Sequence, residues 1–336
     1  RKLKSYKESL NSALSARYSF ESIIGESKPI FDVKVKAKKY AMTDSSVLIL
    51  GATGTGKELF AHAIHNYSSR SEEPFVCINC AGFPKDLLES ELFGYNPGAF
   101  TGASNKGKVG KIELSNKGSL FLDEIGDLSL NAQGKILRVL ETKQLDKIGG
   151  VEPINIDFKL IAATNKDLKK MINQGMFRED LYYRLSAMSI HVPLLKDRTE
   201  DIKSITNHFL KDMGKSDIYV TSKAIDLLKE YSWPGNIREL KNTIEQSVSL
   251  LDGHELSIDS LPSYINSSLH ENLKKEESDT LSEYPDSNLQ KQIADYEKEI
   301  IKLTLERTGR NMTKASKALG ISRSTLYEKV QRYKLT

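Results

Sequence analysis

The chain has 336 residues, of which 39% are hydrophobic and 28% are charged, and these values predict a globular protein of two or three domains. No apolar run approaches the length of a membrane span and no signal peptide is visible, so we expect no membrane association and a cytoplasmic location. Residues 307–336 carry eight Lys and Arg against one acid, a net charge of +7, whereas the whole chain carries +4 and the remainder therefore −3. A basic end on a slightly acidic body predicts contact with nucleic acid at that end.

The first 20 residues are basic and polar, with Leu3, Tyr6, Leu10 and Leu14 at loosely helical spacing. This pattern fits either a linker helix that connects to a further domain upstream or a frayed terminus. Because the chain begins with Arg1 and not Met, we expect it to be part of a longer protein.

Strand and helix patterns alternate over residues 21–193. Apolar strands are predicted at 46–50, 74–79, 119–123 and 158–165, and helices at 58–67 and 131–142. Such alternation predicts an α/β domain with a mainly parallel sheet covered by helices. Functional residues should lie where the strands end, which is where Gly51, Asp123 and Asn165 fall.

Cys77 and Cys80 form a C-x-x-C pair downstream of His62 and His65, which raises the possibility of a zinc site. Strand periodicity places the two thiols on opposite faces, and the histidines fall in a helix, so we favour free thiols in a reducing compartment.

Residues 194–265 show only helical signals and predict a small helical lid domain. Residues 266–287 are rich in Ser, Glu, Lys and Asn and predict a flexible linker. Residues 288–336 predict a compact all-α unit.

A glycine-rich loop, Gly51-Ala-Thr-Gly-Thr-Gly-Lys57, follows a strand and opens a helix, which is the context of a phosphate-binding loop. Its backbone N–H groups and the helix N-terminus favour phosphate, and Lys57 adds a charge at the outer phosphates of ATP. Glu58 occupies the position where the general pattern has Ser or Thr. The predicted nucleotide contacts here are Gly51, Thr53, Gly54, Thr55, Gly56, Lys57 and Glu58.

Asp123 and Glu124 end an apolar strand, as in a Walker-B motif. Asp123 is predicted to hold Mg²⁺, mostly through water, and Glu124 to orient the attacking water. Asn165 ends the next strand, where its amide can reach the water or the terminal phosphate. Without the phosphate loop, an ordinary Asp-Glu pair would be the simpler interpretation.

Three arginines are candidates for sensing the phosphates. Arg178 and Arg184 lie in one helical segment and can neutralise transition-state charge, often from a neighbouring subunit; surface salt bridges are the alternative. Arg238 follows Trp233-Pro-Gly in the helical domain, from which it can reach the nucleotide.

The hexapeptide Gly98-Ala-Phe-Thr-Gly-Ala103 lies between the two ATP motifs. Its residues are Gly98, Ala99, Phe100, Thr101, Gly102 and Ala103. A run of small residues around one aromatic cannot form a core, so we predict a mobile tip that presents Phe100 and Thr101 to a partner.

Residues 311–330 read as helix, turn at Gly320, and helix, with Ser322 as N-cap of the second helix. Ala315, Leu319, Ile321, Leu326 and Val330 are spaced to form one core. The second helix would then present Arg323, Ser324, Thr325, Tyr327 and Lys329 to the DNA major groove. A solvated helical hairpin is the alternative.

Together these motifs resemble the bacterial enhancer-binding proteins, the AAA+ activators of sigma-54 RNA polymerase, over nearly the whole chain from Ile23. The most specific segments are 89–95, 98–103, 177–185 and 233–240, and the C-terminal unit is similar to the family's Fis-type helix-turn-helix domain.

The resemblance implies further roles. Glu58 is usual in this family, and Ile24 and Gly25 match its nucleotide contacts. Arg178 and Arg184 match arginines that act in a neighbouring subunit, and Arg238 matches the second sensor. Asn79 matches a residue that pairs with the Walker-B glutamate, Glu124 here. The hexapeptide matches the loop that contacts sigma-54.

The implied function is an ATPase that binds double-stranded enhancer DNA and remodels the sigma-54 closed complex as a homo-oligomer, typically a hexameric ring and possibly a dimer when inactive. Ala52 and Lys147 depart from the family pattern at positions where Glu and Arg are common. The alternatives are an ATP-binding, DNA-binding regulator without remodelling activity and an AAA+ remodeller of another class.

Overall fold

The computed structural model describes residues 15–99, 106–251, 253–265, 289–333 and 335. Two compact units are present, Arg1–Ser268 and Leu269–Thr336, and each is described by itself. Within the described part of the chain, no helix combines the length and apolar character needed to cross a bilayer.

The first unit contains a five-stranded parallel sheet in the order β2-β3-β6-β1-β7. Its strands are β1 (Val47–Leu50), β2 (Phe75–Asn79), β3 (Ser119–Asp123), β6 (Lys159–Thr164) and β7 (Ser189–His191), and the antiparallel pair β4 (Gln144–Leu145) and β5 (Ile154–Asn155) lies outside this sheet. The central strands are almost wholly buried because helices cover both faces, as continuous apolar runs require. The α/β prediction is therefore confirmed.

The helices of this part are amphipathic, and their buried residues form one apolar cluster on each side of the sheet. They are α1 (Lys28–Ala41), α2 (Lys57–Asn66), α3 (Lys85–Phe93), α4 (Lys111–Leu114), α5 (Leu130–Thr142), α6 (Leu168–Asn173) and α7 (Glu179–Ser186). The predicted helices at 58–67 and 131–142 are thus present with ends shifted by one residue.

The lid consists of helices α8 (Ile202–Asp212), α9 (Ser222–Glu230) and α10 (Asn236–Ser249). The prediction of helices alone was incomplete, because β8 (Tyr219–Val220) and β9 (Glu255–Leu256) form a short parallel pair. Two-residue strands carry too little periodicity to be recognised in a sequence.

The second unit contains α11 (Leu289–Arg307), α12 (Met312–Ala318) and α13 (Arg323–Arg332). Its core consists of Ile301, Leu305, Ala315 and Leu326, with Leu319, Ile321 and Val330 packed against them. The predicted core is confirmed. Ser322 Oγ accepts from Thr325 N at 3.0 Å and so caps α13 as predicted, and Gly320 takes a left-handed φ of 66° at the turn.

Candidate functional site: a phosphate-binding loop under a helical lid

The phosphate-binding loop joins β1 to α2 at the carboxyl edge of the sheet. Gly54 and Gly56 adopt φ values of 78° and 97°, which only glycine accepts readily, so the loop can turn its backbone N–H groups inward. Lys57 is 7% exposed, and its Nζ donates to Gly51 O at 3.0 Å and to Ala52 O at 3.3 Å. The lysine is therefore held inside the loop by backbone carbonyls.

Glu124 is the point where three parts of the site meet. Its Oε1 lies 3.6 Å from Lys57 Nζ, and its Oε2 accepts from the backbone N–H of Asn165 at 3.1 Å. Asn165 Nδ2 in turn donates to Thr53 Oγ1 at 2.8 Å. Glu124 itself adopts a left-handed φ of 51°, an uncommon backbone geometry for a residue with a side chain and one that recurs at functional sites. Because β3, β6 and β1 are neighbours in the sheet, the strand ends at Asp123, Asn165 and Gly51 lie side by side, as expected.

Asp123 and Asn79 face each other across neighbouring strands, in register at the ends of β3 and β2. Asn79 Nδ2 donates to Asp123 Oδ2 at 3.2 Å. The partner implied by the family resemblance was Glu124, and the structure instead pairs Asn79 with the preceding aspartate. Burial, followed by the charge of Glu124, raises the pKa of Asp123.

The environment of Asp123 suits a hard divalent cation. Its carboxylate stands beside a second carboxylate in a partly buried position, where negative charge is only partly compensated, as the raised pKa indicates. Carboxylate oxygens are the donors that Mg²⁺ prefers, usually with several waters retained.

The lid contacts the phosphate loop through the start of α10. Asn236 Nδ2 donates to Thr53 O at 3.0 Å, and the backbone N–H of Ile237 donates to Gly54 O at 3.0 Å. A Cβ on Gly54 would overlap Gly235 O and lie 3.2 Å from Arg238 Cβ. Arg238 is exposed, and its Cβ lies beside Gly54 of the loop. Its contact with the nucleotide stays a prediction.

The turn before α10 is held rigidly by Trp233. Its side chain is 1% exposed, and its Nε1 donates to Leu228 O at 2.7 Å. Trp233 and Asn236 both take left-handed φ values, near 50°. Asn236 also accepts from Leu195 N at 2.9 Å, so this asparagine connects loop, turn and lid. The sequence motif points to Arg238, and the contacts of Asn236 become apparent only in the structure.

A cavity of about 380 Å³ lies between the α/β part and the lid, next to Thr55 and Gly56. Ile24 lines it, together with the lid residues Ile205 and Ile237. An apolar cavity beside a phosphate loop is of the kind that holds a nucleoside. The prediction for Ile24 agrees with this placement.

Gly25, next to Ile24 in the chain, allows this segment to pack closely against Asp201 because it has no side chain. Its φ is 128°, and a Cβ there would lie 2.5 Å from Asp201 Oδ2. Asp201 is buried and accepts from Glu26 N at 2.8 Å and Ser27 N at 2.9 Å. The segment that begins at Ile23 is thereby fastened to the lid. Asp201 and its neighbour Arg198 escaped the sequence interpretation, since nothing in their local pattern indicates burial.

Arg178 and Arg184 lie at the start and near the end of α7, and both are exposed. Arg178 forms a bidentate pair with Asp180, at 3.0 Å from Nε and 2.7 Å from Nη2. The surface salt bridge considered as an alternative is therefore present for Arg178. An exposed pair of this kind is weak and exchangeable.

Glu58 and the candidate zinc residues have other partners. Glu58 Oε1 lies 3.8 Å from His62 Nε2, and a hydrogen bond to that ring is the main cause that lowers the pKa of Glu58. His62 Nδ1 accepts from Arg17 N, and His65 Nδ1 lies 2.9 Å from Ser119 Oγ. Among the residues that the structure describes, no group of His, Cys, Asp and Glu side chains is placed to bind a metal as a cluster.

Of the predicted sigma-54 loop, Gly98 and Ala99 are described, and Phe100, Thr101, Gly102 and Ala103 lie outside the described residues. The chain segments on either side pair with each other: Tyr95 N donates to Lys108 O at 3.1 Å, and Lys108 N donates to Tyr95 O at 2.8 Å. Tyr95 and Lys108 thus form one antiparallel bridge between the segments on either side of the hexapeptide, which we call the stem.

The stem contacts a second loop, residues 146–152. Asn96 N donates to Ile148 O at 3.0 Å, and a Cβ on Gly149 would lie 2.8 Å from Ala99 Cβ. Lys147, which departs from the family pattern, forms an ion pair with Glu113 at 2.8 Å.

In the second unit, Arg323, Ser324 and Tyr327 are exposed on α13, and the Arg323 guanidinium lies 5.8 Å from the centroid of the Tyr327 ring. Thr325 is half-buried. Lys329 differs from the prediction of a free basic residue, because its Nζ pairs with Glu297 of α11. The sequence could not reveal a partner 32 positions away.

Comparisons with known proteins agree along the chain. The profile of the sigma-54 interaction domain matches residues 23–191, that of an AAA+ ATPase lid domain matches 196–278, and that of the Fis family of bacterial regulatory proteins matches 292–333. The signal-transduction and transcriptional-control protein of Clostridium beijerinckii is 43% identical over 328 residues, which cover 96% of this chain and 50% of that protein.

Two further proteins are similar over most of this chain. The regulatory protein AtoC of Escherichia coli K12 is 42% identical over 328 residues, covering 96% of this chain and 70% of AtoC. The crystal structure of NtrX from Brucella abortus in complex with ATP superposes with a TM-score of 0.69 at 31% identity, covering 98% of this chain and 72% of that one. The chain spans about half the length of the Clostridium protein and about 70% of the other two.

Proposed function

This chain belongs to the family of sigma-54-dependent transcriptional regulators, and we propose that it hydrolyses ATP to remodel the closed complex of sigma-54 RNA polymerase while bound to enhancer DNA. Residues 21–193 and 194–265 form the ATPase in this proposal, 1–20 and 266–287 are linkers, and 288–336 bind DNA. Such an activator works on the bacterial chromosome, so we place it in the cytoplasm.

The observation that carries the proposal is the convergence of Lys57 and Asn165 on Glu124. In this arrangement Lys57 neutralises charge on the outer phosphates, and Glu124 polarises the attacking water as a general base. The backbone N–H of Asn165 holds the carboxylate of Glu124 in place, while its amide side chain lies on Thr53 of the phosphate loop. Asp123 would hold Mg²⁺, which supplies electrostatic stabilisation of the phosphates.

Asn79 and Arg238 link this chemistry to the rest of the molecule. Asn79 on β2 donates a hydrogen bond to Asp123 on the neighbouring strand. A change in the charge at Asp123 would alter this hydrogen bond and so the position of the end of β2. Arg238 follows two residues that hold the phosphate loop from the lid side. We assign Arg238 the role of second sensor, with Ile24, Gly25, Thr55 and Glu58 around the nucleotide.

We assign Arg178 and Arg184 to the ATP site of a neighbouring subunit in a homo-oligomeric ring, which the family resemblance implies to be a hexamer. Their exposure on α7 supports this assignment, since a residue that acts in a neighbouring subunit must be accessible at the surface. The guanidinium of Arg178 would exchange Asp180 for phosphate, a more highly charged partner.

The hexapeptide from Gly98 to Ala103 is the proposed contact with sigma-54. Its stem and the second loop share backbone hydrogen bonds, so movement of one carries the other. In the second unit, Arg323, Ser324 and Tyr327 are the proposed contacts with DNA bases and phosphates, whereas Thr325 and Lys329 support the helix that carries them.

The test of ATP hydrolysis uses Glu124→Gln, which keeps the shape of the side chain and removes its charge. We expect ATP binding within a fewfold of wild type and a loss of turnover of about 10²-fold or more, because the general base is gone. Glu141→Gln is the matched control, since Glu141 is exposed on α5. Wild-type turnover in Glu124→Gln would refute the assignment.

The test of the neighbouring-subunit arginines measures ATP turnover per chain over a range of protein concentrations. Wild-type turnover should rise with concentration as subunits assemble, and Arg184→Ala should stay low at every concentration. A specific activity that is independent of concentration, with Arg184→Ala equal to wild type, would contradict the oligomeric site.

A further inference from the structure

Arg198 is a buried cation without an adequate partner at the wall of the nucleoside cavity. Its side chain is 2% exposed and lines the cavity of about 380 Å³ beside Ile24 and Gly56. Its Nε and Nη1 atoms are buried and have no hydrogen-bond partner among the described residues. Burying an unpaired charge is costly, so a residue in this state indicates a missing acceptor.

The local backbone is consistent with a specialised position. Arg198 lies inside the 3-10 segment Leu195–Asp201 and departs from helical geometry, with φ −140° and ψ 47°. The segment connects the last strand of the sheet to the first helix of the lid.

The nearest acid does not satisfy the guanidinium. Asp201 favours the charged form of Arg198 at longer range, but its oxygens accept from Glu26 N, Ser27 N and Ser27 Oγ. Burial is the dominant influence and lowers the pKa of Arg198. Lys34 adds a second positive charge in the neighbourhood. The guanidinium of Arg198 therefore keeps two buried donors, Nε and Nη1, without an acceptor among the described residues.

The two ends of the cavity suit different parts of a nucleotide. Thr55 and Gly56 mark its phosphate end, where Lys57 and the backbone N–H groups already serve the phosphates. Apolar side chains, among them Ile24, Ile205 and Ile237, supply most of the remaining wall, and Glu21, Asp212 and Lys241 also line it. A mainly apolar wall suits a flat base. Adenine offers ring nitrogens as acceptors, and an arginine side chain offers only donors.

We propose that Arg198 binds the base of the nucleotide, its guanidinium donating to a ring nitrogen of adenine. The inference rests on the proposed ATPase function and adds to it a residue that fixes the base. A planar guanidinium is weakly hydrated and also stacks on flat rings, so it suits this apolar wall better than an ammonium does.

The experiment measures nucleotide affinity by calorimetry with wild type, Arg198→Met and the control Lys223→Met. Lys223 is exposed on α9 and does not line the cavity. The ligands are ATP, ADP, inorganic tripolyphosphate, and the 1-deaza, 3-deaza and 7-deaza analogues of ATP. Arg198→Met should weaken ATP and ADP equally, by about tenfold to hundredfold, and leave tripolyphosphate unchanged.

The analogues identify the atom. One of the three deaza analogues should bind wild type more weakly than ATP does, by the same factor by which Arg198→Met weakens ATP. Arg198→Met should bind that analogue as well as wild type binds it. The inference is overturned if all three analogues bind wild type as ATP does, if Arg198→Met keeps wild-type affinity, or if Lys223→Met shows the same loss. The analogue series on wild type decides the question even if Arg198→Met fails to fold.

Failure of the broader proposal looks different. A wild-type chain that binds ATP through Arg198 without hydrolysing it refutes the ATPase proposal and leaves this inference standing. A wild-type chain that binds no ATP refutes both.

Discussion

We expect mild acid to destabilise the first unit through His65, a fully buried histidine near the end of α2. Its Nδ1 lies 2.9 Å from Ser119 Oγ, and its Nε2 has no partner among the described residues. Burial, followed by the nearby His62, lowers its pKa to about 4. In the unfolded chain a histidine titrates near pH 6.5.

The sign follows from proton uptake. Between pH 6.5 and about 4, His65 is protonated in the unfolded chain but not in the folded protein. The free energy of unfolding therefore falls as the pH falls through this range, and it levels off below it. A gap of about 2.5 pKa units corresponds to about 3 kcal/mol at 1.36 kcal/mol per unit. This is a large share of the ~5–15 kcal/mol that stabilises a typical domain.

The assay is urea unfolding from pH 7.5 to 4.5 for wild type, His65→Asn and the control His191→Asn, whose histidine is exposed. The free energy of unfolding of wild type should fall more steeply with acid than that of His65→Asn, by about 2–3 kcal/mol over the range. His191→Asn should follow wild type. Equal slopes for wild type and His65→Asn would refute the reasoning.

Three further predictions concern the lid and the DNA-binding unit. Gly54→Ala should lower ATP affinity at least tenfold in calorimetry, because a Cβ there displaces Gly235 and forces a positive φ on alanine; unchanged affinity would contradict the lid contact. Arg323→Ala should weaken binding to target DNA in gel-shift titrations and, if the contact is to phosphate, reduce the salt slope by about 1. Lys329→Met loses the pair with Glu297, so it should lower the melting temperature of the second unit while changing DNA affinity little. An unchanged melting temperature with a clear loss of DNA affinity would contradict a structural role of Lys329.

Much of the fold and the centre of the site could be predicted because their signals are local. Apolar runs ending in Gly51, Asp123 and Asn165 marked parallel strands, and parallel strands bring their ends to one edge. The core of the second unit followed from helical spacing around Leu326.

The remainder depends on contacts between distant segments. The pairing of Asn79 with Asp123 is a matter of strand register, and the partner of Lys329 is fixed by how α11 crosses α13. The burial of Asp201 depends on its contacts with Glu26 and Ser27, which lie far earlier in the chain, and Arg198 lies in the same short segment. No periodicity within either segment predicts those contacts.

The account's central claim is that ATP turnover by this chain opens a sigma-54 promoter, and promoter opening tests it most directly. The measurement is permanganate footprinting of a sigma-54 promoter with polymerase and enhancer DNA, comparing ATP with ADP and wild type with Glu124→Gln. We predict a melted start site with wild type and ATP, and a closed promoter with ADP or with Glu124→Gln. Opening by Glu124→Gln, or no opening by a wild-type protein that hydrolyses ATP and binds the enhancer, would contradict the account.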